Sequence, residues 1–341
     1  MTFTPKFQIV YNHLQGLIES GAREEELQNY FVTSCKDLGP WERLNNLYRI
    51  RPKRPVPGEP SRLSFFSMNK LQKHFWDNRT NRDLVLKMRQ GGVTTFSCLI
   101  GLDKALWEPG THSAVMAHVR DNVKKFFRIT KTAFKQFQKD WGAFYPVTNT
   151  VDNVSELHIK ETGSELIVCT ESKGLTLDFL HISEAAFVED SRISESVESV
   201  PLSCWVIMET TPDTASGMFY DLWDIYHKGD PCMYKGHFFP WWFQYPEEED
   251  ISLLKKTKDF KLTDAEQVLV HTHELTDEHI LWRRLKITES GGDEGEFLRK
   301  YPEDPLTCFL SGSRSVFPPD VLASLWQNER TPAFTGDILL N

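Results

Sequence analysis

Apolar positions follow two periods along the chain. In residues 1–50 they recur at helical spacing, with Phe7, Val10, Leu14 and Leu17 on one face. A second helix is predicted near Arg23-Glu-Glu-Glu-Leu27, whose acids suit a helix N-terminus. Arg51–Pro60 then holds four prolines in ten residues and reads as a linker or extended arm. From about residue 61, short apolar runs alternate with helical stretches. Strands are predicted at 83–88, 112–117, 154–160, 164–169, 175–182, 203–210 and 234–240, and helices at 68–77, 94–107, 120–138 and 217–227. Such alternation builds a mostly parallel sheet with helices on both faces. Leu175-Thr-Leu-Asp-Phe-Leu-His-Ile182 is apolar on both parities, as a central strand is, with Asp178 and His181 as exceptions. Further on, amphipathic helices are predicted at 263–272 and 276–290, followed by Gly291-Gly292. The expected organisation is a helical extension and Pro-rich linker (1–60), an α/β core (61–240) and a smaller, mostly helical subdomain (241–341).

Composition narrows the class. In 341 residues, 12% aromatic content is ample for a packed core and excludes a disordered chain. No apolar run approaches the ~18–20 residues that span a bilayer. Met1-Thr-Phe-Thr-Pro-Lys6 lacks a signal-peptide core, so a cytoplasmic protein without a membrane partner is expected. The six cysteines form no CxxC pair, and Cys98, Cys169 and Cys204 sit in apolar stretches as small hydrophobes. His271-Thr-His273-Glu274 is dense in metal-ligand types but has no partner cluster, so no metal is expected there. A net charge of −9 argues against sequence-independent DNA coating, which needs clustered cations. Local basic stripes remain. Arg120, Lys124, Arg128, Lys131, Lys135 and Lys139 line one side of the 120–139 helix, opposite Val123, Phe127, Thr130, Phe134 and Phe137. This stripe reads either as a solvated face or as a contact for DNA or a neighbouring subunit. Arg51–Arg54 offers the same choice.

Three strand ends carry the candidate chemistry. Asp83-Leu-Val-Leu-Lys-Met88 runs into Arg89-Gln-Gly-Gly-Val-Thr-Thr95 and then into a helix. A strand, a Gly-containing turn and a helix N-terminus together cradle phosphate. Gly91 and Gly92 allow close approach, and Thr94 or Thr95 can offer a hydroxyl to Mg²⁺. The usual loop has Lys before the Ser/Thr, where this chain has Val93. Lys87 and Arg89 are the nearest sources of that charge. About ninety residues on, Leu180-His-Ile-Ser-Glu184 places an acid at a strand C-terminus. Glu184 can orient or deprotonate a water attacking a phosphoanhydride. Ser183 occupies the position where an Asp usually holds Mg²⁺ through water, and it also reads as an N-cap. Cys204-Trp-Val-Ile-Met-Glu-Thr-Thr-Pro212 ends in Thr210 and Thr211, hydroxyls that can sense a γ-phosphate.

In this order the motifs resemble those of the large terminase subunit of tailed bacteriophages, in its N-terminal ATPase half. The resemblance covers roughly residues 62–330. It rests on Leu86-Lys-Met-Arg-Gln-Gly-Gly-Val-Thr-Thr95, Gly174-Leu-Thr-Leu-Asp-Phe-Leu-His-Ile-Ser-Glu-Ala-Ala-Phe187 and the stretch Glu209–Trp223. Phe238–Trp242 and Gly291–Pro302 also have counterparts. It implies an ASCE-type P-loop NTPase fold for the core, with ATP and Mg²⁺ as ligands. It further implies that Lys87 is a displaced P-loop lysine, that Arg89 meets the γ-phosphate, and that Gln72 reads adenine. The ATP site would then comprise Gln72, Lys87, Arg89, Gln90, Gly91, Gly92, Val93, Thr94 and Thr95. Thr94 would hold Mg²⁺ with Ser183 and Glu184, partly through water. Glu184 would be the catalytic carboxylate, and Thr210 and Thr211 would couple hydrolysis to motion. Lys173 stands where many members have an arginine acting across the subunit boundary; it cannot reproduce the bidentate contact.

The activity implied is ATP hydrolysis that drives double-stranded DNA into a procapsid. Its partners would be the portal protein and the small terminase subunit. The working form would be a homo-oligomeric ring, with a monomer in isolation, in the host cytoplasm. The family also carries a nuclease half, whose place would begin near Asn341, so a truncated chain without nuclease activity is expected. Lys124, Arg128, Lys131 and Lys135 are the DNA or subunit contacts to test. Two other readings compete: a helicase-like translocase outside packaging, against which no second motor core is seen, and a degenerate nucleotide-binding scaffold, suggested by Val93 and Ser183.

Overall fold

The computed structural model describes residues 3–53, 63–151, 153–172, 174–254 and 260–310. Lys173, the prolines of the 54–62 segment and residues 311–341 lie outside the described residues. The chain forms two compact units: residues 1–211 with 216–239, and residues 212–215 with 240–341.

The first unit opens with α1 (Pro5–Glu19) and α2 (Glu24–Asn46). Phe7, Val10 and Leu14 are buried, as their spacing predicts. Arg23 precedes α2, with Glu24, Glu25 and Glu26 in its first turn. Gly39 (φ 79°) and Pro40 kink α2. A two-residue pair, β1 (Arg49–Ile50) with β2 (Ser64–Phe65), follows. Then come α3 (Lys70–Asn78), β3 (Arg82–Lys87), α4 (Val93–Trp107), β4 (His112–Ala117) and α5 (Arg120–Trp141). The unit continues with β5 (Glu156–Ile159), β6 (Ser164–Cys169), β7 (Phe179–Ser183), α6 (Asp190–Glu198), β8 (Trp205–Thr210), α7 (Met218–Lys228) and β9 (Lys235–Phe239).

The seven strands run in the order β5-β6-β4-β7-β8-β3-β9. All neighbours are parallel except β5 and β6. β8 is inserted between β3 and β7. Every residue of β3 and β7 is buried, the apolar Leu84–Leu86 and Phe179, Leu180 and Ile182 together with the polar Arg82, Asp83, Lys87, His181 and Ser183. The helix-flanked, mostly parallel sheet is the fold expected.

Several predicted strands are trimmed at their ends, most of all the one at 175–182. Pairing begins at Phe179, and Leu175–Asp178 is irregular. Asp178 is exposed, and its carboxylate accepts the His112 backbone N–H at 2.9 Å, closing the strand entrance. α6 has no counterpart among the predicted helices.

The N-terminal helices are fixed to the core by a buried polar network. Arg43 of α2 donates to Asp103 of α4 at 2.7 Å, and the Tyr48 hydroxyl donates to the same carboxylate at 2.7 Å. Trp107 Nε1 completes it on the Tyr48 hydroxyl at 3.1 Å. Each polar group has a partner, which is the condition for burying them. Phe7 and Phe31 pack on Trp141, the last residue of α5.

The second unit contains α8 (Glu248–Leu253), α9 (Asp264–His273), α10 (Asp277–Glu289) and α11 (Glu294–Lys300). Its core is aromatic: Trp282 stacks on Tyr245 at 4.8 Å and on Trp241 at 5.1 Å, and Phe297 is fully buried. Gly291 and Gly292 both take positive φ and end α10. The short helices α8 and α11 have no counterpart among the predicted elements.

Candidate functional site

The order of strands puts the ends of β7, β8 and β3 side by side at their C-terminal edge. Lys87 closes β3, Ser183 closes β7, and Glu209 and Thr210 close β8, with Ser183 and Glu209 opposite each other in register. This is the crevice where open α/β sheets bind ligands.

The loop after β3 is shaped from both sides. Gln90 (φ 64°) and Gly92 (φ 81°) are left-handed, and Gly92 is the residue before α4. A Cβ on Gly92 would meet Gln72 Nε2 at 2.8 Å, so both space and backbone require glycine there. The N-terminus of α3 clamps the loop: Asn69 Nδ2 donates to Gly91 O at 3.1 Å and Gln72 Nε2 to Gly92 O at 2.8 Å. Gln72 Oε1 accepts from Asn69 N, while Asn69 Oδ1 accepts from Gln72 N, a reciprocal cap. Gln72 is thus buried and bonded to the loop. The α4 N-terminus, with its unpaired first-turn N–H groups, faces the bend. Arg89 and Gln90 are exposed on the loop, Val93 is buried, and Thr94 and Thr95 are half-buried.

Under the loop lies one connected polar cluster. Lys87, 4% exposed, places Nζ 2.8 Å from Glu209 Oε2 and 3.3 Å from Glu184 Oε1. Burial works against its charge, but the Glu209 and Glu184 carboxylates outweigh it and hold the ammonium well above the ordinary lysine range. Glu209 is fully buried, and burial alone would raise its pKa. The Lys87 charge, with His181 beside it, reverses that and keeps Glu209 ionised far below the ordinary range. Glu209 Oε1 accepts from Thr94 Oγ1 at 2.9 Å and from Ser183 Oγ at 2.8 Å, and the two hydroxyls are 3.3 Å apart. Buried His181 stands 3.7 Å from Glu209, and neither ring nitrogen has a hydrogen-bond partner.

Glu184 sits in a left-handed turn (φ 55°, ψ 52°) that carries its side chain toward the neighbouring strand end. Its Oε2 accepts from Thr211 N and Thr211 Oγ1, both at 3.3 Å. Thr210 Oγ1 donates to Thr211 O and accepts from Ala186 N, so the β8 end is tied to the turn after β7.

Sequence reasoning singles out Lys87, Thr94, Ser183, Glu184 and Thr211, and the structure joins them through Glu209 and Glu184. Glu209 itself carries no role in the sequence reading beyond its place in a strand. The signal is present: a lone carboxylate in an otherwise apolar strand, next to the hydroxyls that draw attention. His181 figures there only as an exception in its strand.

Thr94, Ser183 and Glu209 form an all-oxygen donor set of two hydroxyls and a carboxylate. That chemistry suits a hard cation such as Mg²⁺, which is typically bound by one or two carboxylates, waters and substrate phosphates. Among the described residues no group of three or more His, Cys, Asp or Glu side chains is placed to hold a metal, and His271, His273 and Glu274 are exposed. No helix of the described residues is long and apolar enough to cross a membrane. Lys124, Arg128, Lys131 and Lys135 line one depression of about 380 Å³ on α5, beside Phe127 and Val154.

No family model matches the chain, and no curated protein does. Solved structures that do match are phage large terminases, at low identity. The ATPase domain of the Thermus phage P74-26 large terminase is 15% identical, over 68% of this chain and 91% of that one, with a TM-score of 0.49. The HK97 bacteriophage large terminase is 15% identical, over 76% of this chain and 52% of that one, with a TM-score of 0.47. The large terminase of a thermophilic bacteriophage, solved in complex with ATP-gamma-S, is 12% identical, over 56% of this chain and 50% of that one, with a TM-score of 0.40. The alignments thus take in about half the length of the last two proteins.

Proposed function

We propose that this chain is an ATP-hydrolysing motor module of the phage terminase type, which drives double-stranded DNA into a procapsid. The observation that carries the reading is the convergence of Lys87, Thr94, Glu184 and Thr211 at one edge of three adjacent strands.

The glycine loop and the first turn of α4 receive the phosphates, where N–H groups and the helix dipole favour an anion. Lys87 supplies the buried cation that Val93 cannot, and Arg89 adds a second one from the loop. Thr94 and Ser183 would help to hold Mg²⁺, which when bound would supply charge neutralisation at the phosphates. Glu184 orients the attacking water and takes up its proton at the carboxylate. Because Glu184 also accepts both Thr211 contacts, a change in its hydrogen bonding is felt at the β8 end. Thr211 is followed directly by residues 212–215 of the second unit, which gives the signal a covalent route. The basic face of α5 is the candidate DNA or subunit contact. The portal, the small subunit and a ring of copies complete the proposed machine, working in the host cytoplasm.

Glu184→Gln is the direct test. It keeps size and shape and removes the base, so turnover should fall by about 10²–10⁴-fold while ATP binding persists. Unchanged turnover in steady-state assays with DNA present would sink the assignment. Binding without turnover in the unmodified chain would favour the scaffold reading instead.

A further inference from the structure

We propose that Glu209 supplies the anionic ligand of the divalent-cation site, a role that Ser183 at the end of β7 cannot fill, so that the carboxylate stands one strand over on β8. The proposal rests on the nucleotide-binding reading above and adds the residue that makes it metal-dependent.

Three observations support it. First, the position at the end of β7 beside the Thr94 hydroxyl is neutral Ser183, and a pair of hydroxyls without a carboxylate is a weak site for a hard dication. Second, Glu184 is turned elsewhere, toward Thr211 and Lys87. Third, Glu209 is fully buried and bonded to both hydroxyls through one oxygen. Its second oxygen is paired with the Lys87 ammonium at 2.8 Å.

The same sheet holds a carboxylate that is only structural, and the two differ. Buried Asp83 accepts from Thr80 N, Thr80 Oγ1 and Trp205 Nε1 and contacts His237 Nε2, all donors of the framework. Glu209 is bonded instead to the hydroxyl in the first turn of α4 after the loop, to the strand end that faces it, and to the lysine the phosphates need. A buried charge kept on such partners is costly as architecture. It is useful where a cation is to be exchanged. Lys87 and a dication are then alternative counter-ions for one carboxylate: with the dication bound, Lys87 is released toward the phosphates, and without it Lys87 is withheld from them.

This predicts an asymmetry that a scaffolding role would not give. Glu209→Gln should weaken nucleotide binding in Mg²⁺. It should also strengthen binding in EDTA, because Lys87 then keeps only the partly exposed Glu184 as counter-ion and a negative charge near the phosphates is gone. The experiment titrates the full chain with a fluorescent, non-hydrolysable ATP analogue in Mg²⁺ and in EDTA. The ratio of the two affinities should fall at least about tenfold in Glu209→Gln. The exchange variant Ser183→Asp/Glu209→Gln, which returns the carboxylate to β7, should restore much of the ratio. A folded Glu209→Gln protein that keeps the unmodified ratio overturns the proposal, and so does a ratio of one in the unmodified chain. If Glu209→Gln fails to fold, Glu209→Asp keeps the charge but withdraws it by one methylene. An undiminished ratio there overturns the proposal equally, and a reduced ratio supports it. Failure of the unmodified chain to bind the analogue in either condition would instead remove the nucleotide reading itself.

Discussion

Lys87 and Glu209 form the pair on which the site turns, and the energetics of such a pair are lopsided. Two buried opposite charges roughly offset their own desolvation, whereas one left alone does not. Lys87→Met therefore strands Glu209 among hydroxyls and should cost about 3–5 kcal/mol in denaturant unfolding. Adding Glu209→Gln to it should recover most of that loss, since the fully buried charge is then gone and Glu184, which also loses Lys87, is partly exposed. Equal, additive losses from the two changes would show that the pair is not coupled. The same residues show what a sequence reveals at this scale. Lys87 is legible because it flanks a glycine loop, and Glu184 because it ends a buried run. Glu209 shows in sequence only as a lone carboxylate in an apolar strand; its meaning comes from the strand beside it. Nor could the chain alone show that the Gln72 amide clamps the loop, since that contact joins residues 20 positions apart with β3 between them.

Elements are more legible than contacts. The central strands declare themselves as runs apolar on both parities, and β4 and β6 fall where periodicity puts them. The miss at 175–178 has a plain cause. Leu175 and Leu177 alternate with polar residues as a strand does, but Asp178 is spent on the His112 backbone, so pairing starts one residue later. Short helices such as α8 and α11 have too few turns to build a period. In the second unit, α9 and α10 are joined by Arg284, whose guanidinium donates to Glu266 at 2.7 Å. Hydrogen bonding from Arg284, against the opposing effect of burial, lowers Glu266 to about 2. A depressed carboxylate stabilises the fold above its unfolded pKa of about 4.3 and loses that contribution as pH falls toward the folded value. Acid should therefore weaken this unit between about pH 4.5 and pH 2. Glu266→Gln should already be weaker at pH 7, by about 1–2 kcal/mol, and should show a flatter profile over that window in urea titrations at stepped pH. A mutant that keeps the full acid sensitivity would assign it to other carboxylates.

At the scale of the whole molecule, a chain of net charge −9 gathers a row of basic residues on one helix face. The overall charge says little about a DNA partner, and the stripe says more. The sequence suggests a change near residue 240 and also sets residues 1–60 apart, whereas the first compact unit contains 1–60 together with the core. The interlacing of the two units is not foreseeable, because residues 212–215 belong with a unit whose remaining part begins at 240. That arrangement has a practical consequence for dissection. A fragment starting at 240 leaves behind Asp213, the partner of Arg299 at 2.5 Å, and a fragment ending at 239 retains a stray piece of the other unit. Cutting the chain at its visible seam should give two impaired pieces rather than two modules. Fragment 240–310 should melt less cooperatively by circular dichroism than the same unit does within the intact chain, and a sharp, undiminished transition would refute this. On the proposed reading of Thr211, the inseparability is the route itself: the strand that senses the nucleotide hands the chain directly to residues 212–215 of the other unit, so that no cut at residue 240 can spare the connection.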